Sequence, residues 1–413
     1  MNIPIKIQSE IGNLKTVIIK RPSLEIENLT PDYADTLLFD EIPYLHKMQE
    51  EHDAFAKVLT DRGSEVLYLE ELMAEALKTD TLKEQFLAGL LGESNHLHGY
   101  IREKVKNYLL QFPAKEMVAK IMGGVRKDEK NLKIPEKRSL LAMVAHHYPF
   151  YVSPMPNLYF TRDLSACIGN GIVISKMNRP ARQKESLFMK FILENHERFA
   201  GLGIPVWLNR DYRFSFEGGD ILVLSKEAVA IGISERTSAA AIERLAKNLF
   251  ARGSGITKVL AVDIPKERAS MHLDTVFTML DRNKFTIHTD IFDKHGEIDS
   301  FIIEHSDCDA EIKIKPLKQL KEALMEVLEL DDVVLIPCAG GDVVAAPREQ
   351  WSDGSNTLTV APGVVITYDR NYVTNKIFQE DFGIEVLEIP SSELSRGRGG
   401  PRCMSLPLFR EDI

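Results

Sequence analysis

Cys403 stands in the segment Arg396-Gly397-Arg398-Gly399-Gly400-Pro401-Arg402-Cys403-Met404-Ser405-Leu406-Pro407, close to the C-terminus. Gly and Pro at this density keep a regular helix out of residues 396–407, so the thiol is expected to be presented by a loop and not packed in a core. Three arginines within the seven residues before it would favour the thiolate, the form of cysteine that attacks electrophiles. Alone, the stretch reads equally well as a mobile basic tail. Three other stretches change that balance. Thr161-Arg162-Asp163, Glu217-Gly218-Gly219-Asp220 and His272-Leu273-Asp274 each place acids, once with a histidine, immediately ahead of an apolar run.

Cys403 and His272 form a candidate nucleophile and base, and Glu217 could orient the imidazole and stabilise its protonated form. Two further carboxylates, Asp163 and Asp274, would be out of place in a protease site, where N–H donors must stabilise an oxyanion. They suit a planar cation with forked donors. A guanidinium presents five N–H groups that match carboxylates two at a time, so the set points to a guanidine attacked at its central carbon. A lone His-x-Asp is usually structural and a lone Glu-Gly-Gly-Asp is often only a turn. Their recurrence at matching places, together with the cysteine, is what makes the pattern specific.

Those places are the heads of a repeated unit. After each stretch comes a hydrophobic strand, a polar turn and a returning strand, and Asp163, Asp220 and Asp274 fall 57 and then 54 residues apart. A fourth copy is predicted from Gly340-Gly341-Asp342, turning through Trp351-Ser352-Asp353-Gly354 and returning over 356–361 or 364–368. Helical patterns at 184–199 and 239–249 lie between copies. A period of strand pair plus helix predicts blades or layers about a common axis, which would bring the scattered heads to one central pit. The first 70 residues read as strand (16–19), helix (43–62) and strand (65–69), part of the same α/β body. Residues 71–148 change to Leu, Lys, Glu and Ala with few β-branched clusters. They predict an inserted helical domain, with helices over 72–77, 81–91, 98–111, 114–122 and 137–145. Its His96, His98, His146 and His147 read as surface or core residues. Residues 149–413 complete the α/β body, with the catalytic loop at 396–407.

The totals are those of a folded enzyme: 413 residues, 44% hydrophobic and 27% charged, more than one core usually holds. A net charge of −10 disfavours nucleic acid as a partner. Four cysteines occur, Cys167, Cys308, Cys338 and Cys403, without a CxxC pair or a Cys/His cluster, so no metal is expected. Cys167 and Cys338 lie in apolar runs as small buried hydrophobes, and Cys308 has no evident role. Nowhere do 18 apolar residues run together and the N-terminus has no apolar leader, which predicts a cytoplasmic protein with free thiols and no membrane contact.

Four motifs in order, Phe160-Thr161-Arg162-Asp163, Phe216-Glu217-Gly218-Gly219-Asp220, Met271-His272-Leu273-Asp274 and Gly397 to Ser405, resemble those of the arginine deiminase family within the guanidino-group modifying (pentein) superfamily. The resemblance spans essentially the whole chain. It implies a five-bladed, pseudo-symmetric α/β propeller with a helical insertion, and conversion of L-arginine to L-citrulline and ammonia without metal or cofactor. By the same resemblance Cys403 is the nucleophile, His272 the general acid/base, Glu217 its partner, and Asp163 and Asp274 the guanidinium clamps. Arg236, with Arg182 or its neighbour Arg179, would meet the substrate α-carboxylate. Asn157, Phe160 and Arg398 would shape the binding site, Asp220 would stand behind it, and Gly219 and Gly400 would allow close backbone approach. Arg402 departs from relatives that have His before the cysteine, which bears on the thiolate fraction of Cys403. A homo-oligomer is expected. The rivals are hydrolases of agmatine or methylated arginine, amidinotransferases, an idle guanidine-binding protein, and a thiol amidase.

Overall fold

The computed structural model describes residues 4–94, 97–132, 134, 148–292, 295–306 and 312–413. The helix expected over 137–145, together with His96, His146, His147 and Cys308, lies outside them. Among the described residues five sheets follow one plan: a first strand pairs antiparallel with a second, a helix crosses over, and a third strand pairs parallel with the second. A parallel neighbour cannot be reached by a tight turn, so the crossover helix is a geometric necessity.

The first unit joins Ser165–Ile168, Gly171–Ile174 and Val206–Leu208, with helix Ser186–Asn195 between the last two. The second joins Ile221–Val223, Ala228–Ile233 and Lys258–Asp263, and two further strands, Ser300–His305 and Ile312–Leu317, extend its sheet. Its helix Ala239–Ala251 begins where Ser238 Oγ accepts from Ala241 N, and it buries Ala241, Ile242, Leu245, Ala246 and Leu249, one stripe at helical spacing. The third joins Phe277–Asp281, Lys284–Ile287 and Val334–Pro337.

The fourth unit corrects the predicted register. Residues 356–361 and 364–368, taken above as rival return strands, are partners in one hairpin: Leu358–Ala361 pairs with Val364–Tyr368 around Pro362-Gly363, where Gly363 has φ +70. The stretch after Gly340-Gly341-Asp342 is no strand. Ala345–Trp351 is helical, since Ala, Arg, Glu and Gln favour a helix and Pro347 fits its first turn but would leave a gap in a ladder. Asp342 is exposed, and the true head of this unit is Asp353 to Asn356.

The fifth unit is built from both chain ends. Leu406–Arg410 runs antiparallel to Leu14–Ile19, which pairs in parallel with Glu65–Tyr68 after helix Leu45–Asp61. Cys403 therefore heads the first strand of its own unit, as Asp163, Asp220 and Asp274 head theirs. Helices Leu69–Ala76, Asp80–Gly92, Gly99–Leu109 and Ala114–Gly123 occupy the expected helical segment. Their apolar faces are continuous with the first unit: Phe86 meets Phe188 and Phe191 edge-on, each with ring centroids 5.2 Å apart. Among the described residues no helix is long and apolar enough to cross a membrane.

Candidate active site

Each head enters its strand through a single helical turn, Thr161–Leu164, Gly218–Asp220 and Leu273–Val276, which aims a carboxylate inward. The glycines of Glu217-Gly218-Gly219-Asp220 are sterically required. A Cβ on Gly218 would stand 2.1 Å from the Arg162 carbonyl oxygen, and one on Gly219 2.7 Å from His272 Nδ1. A Cβ on Gly400 would stand 2.6 Å from the Asn356 carbonyl oxygen, so that glycine lets the nucleophile loop close onto the fourth unit.

His272 is held between two carboxylates, with Nε2 2.8 Å from Glu217 Oε2 and Nδ1 3.6 Å from Asp163 Oδ1. Burial alone would lower its pKa, but Asp163, the hydrogen bond to Glu217 and the charge of Asp220 carry it up to about 9. Burial alone would raise Glu217, yet the bond to His272 and the Arg236 guanidinium hold it down at about 2. The pair is an imidazolium and a carboxylate. Asp220 lies behind them, accepting from Leu273 N at 2.8 Å and Ser234 Oγ at 2.7 Å, and burial pushes it up to about 6. Asp163, Glu217 and His272 also present ligand atoms within 4.8 Å of one another, but the place a cation would take between the acids is filled by the imidazolium.

The loop of residues 396–407 overturns the expectation of a presented thiol: Cys403 is only 3% exposed. Its sulfur accepts from Asn356 Nδ2 at 3.1 Å and lies 3.8 Å from Asp274 Oδ1, while Asn356 Oδ1 accepts from Cys403 N at 3.0 Å. The three arginines do not act as one group. Arg396 turns away to Glu41 and Glu393, Arg398 stacks on the Trp351 ring at 3.4 Å, and Arg402 reaches beneath the cysteine to Glu10 and Asp274. Burial, with Asp274, Asp163 and Asp353, pushes the thiol well above its ordinary value against the pull of Arg402.

Asn157, Phe160, Asp163, Arg182, Arg236, His272, Arg398 and Cys403 all line one pocket, with Leu38, Met271, Thr275 and Gly397, and the cavity they enclose measures about 20 Å³. Asp220 and Gly400 stand behind its wall. Arg182 uses three of its five N–H groups, on Glu185 (2.8 Å), on Asp163 Oδ2 and on the Asn157 carbonyl (3.2 Å). Arg179 is half-exposed and pairs with Glu235, outside the pocket. Arg236 is buried with its Nε unpaired, Nη1 3.7 Å from Glu217 and Nη2 3.6 Å from Met271 Sδ. Asp163 Oδ1 accepts no hydrogen bond, whereas Asp274 is not among the residues lining the pocket: its Oδ2 accepts from Arg402 at 2.7 Å and both of its oxygens lie 3.8 Å from the sulfur. Sequence reasoning missed Asn356. Its signal was the Pro362-Gly363 turn, which fixes the fourth hairpin and makes Asn356 the head residue.

Asp163 and Asp274 are thus each tied to one buried arginine, and Asp163 keeps one oxygen toward the pocket that Cys403 lines, an arrangement for a planar cation next to a thiol. The architecture agrees. The structure resembles an amidinotransferase of the saxitoxin pathway from Microseira wollei at a TM-score of 0.55, with 12% identity over 99% of this chain and 98% of that one. It also resembles a dimethylarginine dimethylaminohydrolase adduct with S-methyl-L-thiocitrulline at a TM-score of 0.52, with 16% identity over 95% and 99%. Fold and site define an α/β enzyme with the pentein fold of guanidino-group modifying proteins. The sequence profile described as arginine deiminase matches residues 35–410, and the arginine deiminase of Bacillus thuringiensis subsp. konkukian (strain 97-27) is 57% identical over 413 residues, all of both chains. The chain belongs to the arginine deiminase family.

Proposed function

We propose that this chain hydrolyses L-arginine to L-citrulline and ammonia, a hydrolysis of a C–N bond in a linear amidine, through a covalent intermediate on Cys403. The observation that carries this reading is the pair of half-used clamps. Asp163 Oδ1 accepts no hydrogen bond in the pocket that Cys403 lines and Asp274 lies 3.8 Å from the sulfur, while the buried Arg236 has an unpaired Nε on the same pocket wall. A guanidinium fits the first and an α-carboxylate the second, with Arg182 contributing its remaining N–H groups.

Burial and the surrounding acids hold the thiol protonated; the incoming guanidinium neutralises those acids, so the S–H bond breaks, its proton passes to solvent as arginine enters, and the thiolate is left facing the cationic carbon. The sulfur adds to the central carbon. His272, protonated at neutral pH, gives its proton to the departing nitrogen, and ammonia leaves a thiouronium on Cys403. Neutral His272 then takes a proton from water, which adds to the same carbon and expels the thiolate with citrulline. A cavity of about 20 Å³ holds roughly one water, so entry of arginine requires Leu38 and Arg398 to withdraw. Both are non-glycine residues in left-handed backbone, at φ 65 and 63, a conformation that costs of order 1 kcal/mol or more.

The thiol chemistry suits the reducing cytoplasm. Self-association is supported by the exposed Val343, Val344, Trp351 and Tyr372. Assay of citrulline and ammonia from L-arginine tests the reading: the two should appear in equal amounts without added metal, and no citrulline would overturn it.

A further inference from the structure

Beneath the nucleophile lies a charge chain that no step above uses. Arg402 is 1% exposed and commits four of its five N–H groups. Nε and Nη2 fork onto the two Glu10 oxygens, each at 3.1 Å, Nη2 also donates to the Ile221 carbonyl at 2.8 Å, and Nη1 donates to Asp274 Oδ2 at 2.7 Å. Glu10 accepts in turn from Val223 N at 3.2 Å. The chain links the N-terminal segment to the head of the second unit's first strand, to the third unit's carboxylate and to the residue next to Cys403.

We propose that Glu10 and Arg402 are positioning residues: they fix the Asp274 carboxylate so that Oδ1 faces the guanidinium beside Cys403 and compensate its charge against the thiolate. This rests on the reading of Cys403 as nucleophile. A fork onto Glu10 leaves the Arg402 guanidinium no freedom to turn, and a guanidinium that cannot turn fixes the one Asp274 oxygen it holds. The other oxygen stays on the side of the thiol, with Cys403 Sγ 3.8 Å from it. Arg402 also acts on the Asp274 carboxyl, which burial raises above its ordinary value and the Arg402 charge pulls back. A protonated Asp274 would carry an O–H donor and no charge, a poorer match for a guanidinium's N–H groups. Burial alone would raise Glu10 too, but Arg402 holds it down at about 2, so the chain stays charged at neutral pH.

The charged groups facing Cys403 are Asp163, His272, Asp274, Asp353, Arg162 and Arg402, with Arg182, Arg236 and Arg398 on the walls of the same pocket. Tyr159 and Tyr368 stand behind it as neutral phenols, raised well above their ordinary value by burial. Arg162 keeps Nε and Nη2 unpaired and burial brings it down to about 10, so Arg402 is the cation fixed onto Asp274.

Opposite charge changes at the two ends of the chain separate this role from a merely structural one. Arg402→Gln strands Asp274 as an uncompensated acid and should raise the Cys403 thiol pKa. Glu10→Gln removes an anion and leaves Arg402 with only Asp274 to neutralise, which should lower it. Arg402→Lys keeps the charge and loses the fork, so the thiol should titrate near wild type while kcat/KM still falls about 10²-fold through a misplaced clamp. The readout is thiolate ultraviolet absorbance against pH, taken as the difference from Cys403→Ala, beside kcat and KM for arginine. Shifts of opposite sign in Arg402→Gln and Glu10→Gln support the proposal; shifts of the same sign, or none, overturn it. Should Arg402→Gln fail to fold by circular dichroism, Glu10→Gln decides alone, and a raised or unmoved thiol refutes the chain. A wild type that makes no citrulline would instead refute the proposed function, and the titration is read independently of it.

Discussion

Cys403 shows how a residue's type can be read from sequence while its environment cannot. Gly, Pro and Arg around it are local signals and predicted a loop correctly, yet the loop is pressed between Phe160, Asn356 and Tyr368 by residues over 200 positions away or in another unit. Burial then reverses the electrostatic expectation: the arginines that were to favour the thiolate lose to desolvation and three carboxylates. His272, Glu217, Asp163 and Asp274 were legible because acids ahead of apolar runs recur with a period. Asn356 was not, because its unit was aligned one hairpin too early. The pairing of Arg182 with Asp163 was also hidden, and it makes Arg236 the arginine freest to meet an α-carboxylate. Arg236→Ala should therefore cut kcat/KM for arginine far more than for agmatine, which has no carboxylate. A desolvated ion pair of this kind is worth about 3–5 kcal/mol, two to four decades in the ratio, whereas a half-exposed pair such as Arg179 with Glu235 is worth about 0–1 kcal/mol. An unchanged arginine-to-agmatine ratio would place the carboxylate elsewhere.

At the scale of elements, the strand and helix periodicities were legible wherever one sequence stretch makes one element, and failed where composition competes. Residues 345–351 follow a Gly-Gly-Asp that mimics a head, but Ala, Arg, Glu and Gln make a helix of them. The nucleophile loop has an anchor with no sequence signature at all. Glu51, buried in helix Leu45–Asp61, accepts from Ser392 Oγ at 2.6 Å and from the Glu393 and Leu394 amides at 2.9 Å each. A carboxylate receiving three donors fixes where residues 392–394, following strand Glu385–Ile389, cross the fifth unit's helix, and hence where Gly397 and Arg398 meet the pocket. Glu51→Gln would turn an NH2 toward those donors and should cost about 2–4 kcal/mol of stability, with kcat falling more than KM rises. Unaltered thermal unfolding and kinetics would show that the anchor is idle.

For the whole molecule, four units were found by self-comparison and the fifth was not, because its strands are split between the two ends of the chain. The pairing of Leu406–Arg410 with Leu14–Ile19 joins them. The same closure brings Glu10 and Cys403 to one centre. The buried His272–Glu217 pair should be felt in the stability of the entire fold. His272 rises from 6.5 to about 9 on folding, so its contribution is complete below 6.5 and is lost as pH climbs through 9. Glu217 falls from 4.5 to about 2, so its contribution is complete above 4.5 and is lost as pH drops through 2. The melting temperature should therefore decline between pH 6.5 and 9, and Glu217→Gln should flatten that decline by removing the partner that sustains the imidazolium; equal slopes in both proteins would mean that the pair does not titrate as a unit.

Covalent catalysis by a buried cysteine on a guanidinium carbon is tested most directly by acid-quenching a single turnover of L-arginine carrying an isotopic label on its guanidino carbon, then mapping the label by peptide mass spectrometry. We predict label on the peptide containing Cys403, appearing before citrulline and decaying into it, with none retained by Cys403→Ala. Citrulline formed at the normal rate with no label on Cys403, or label carried by another residue, would contradict it.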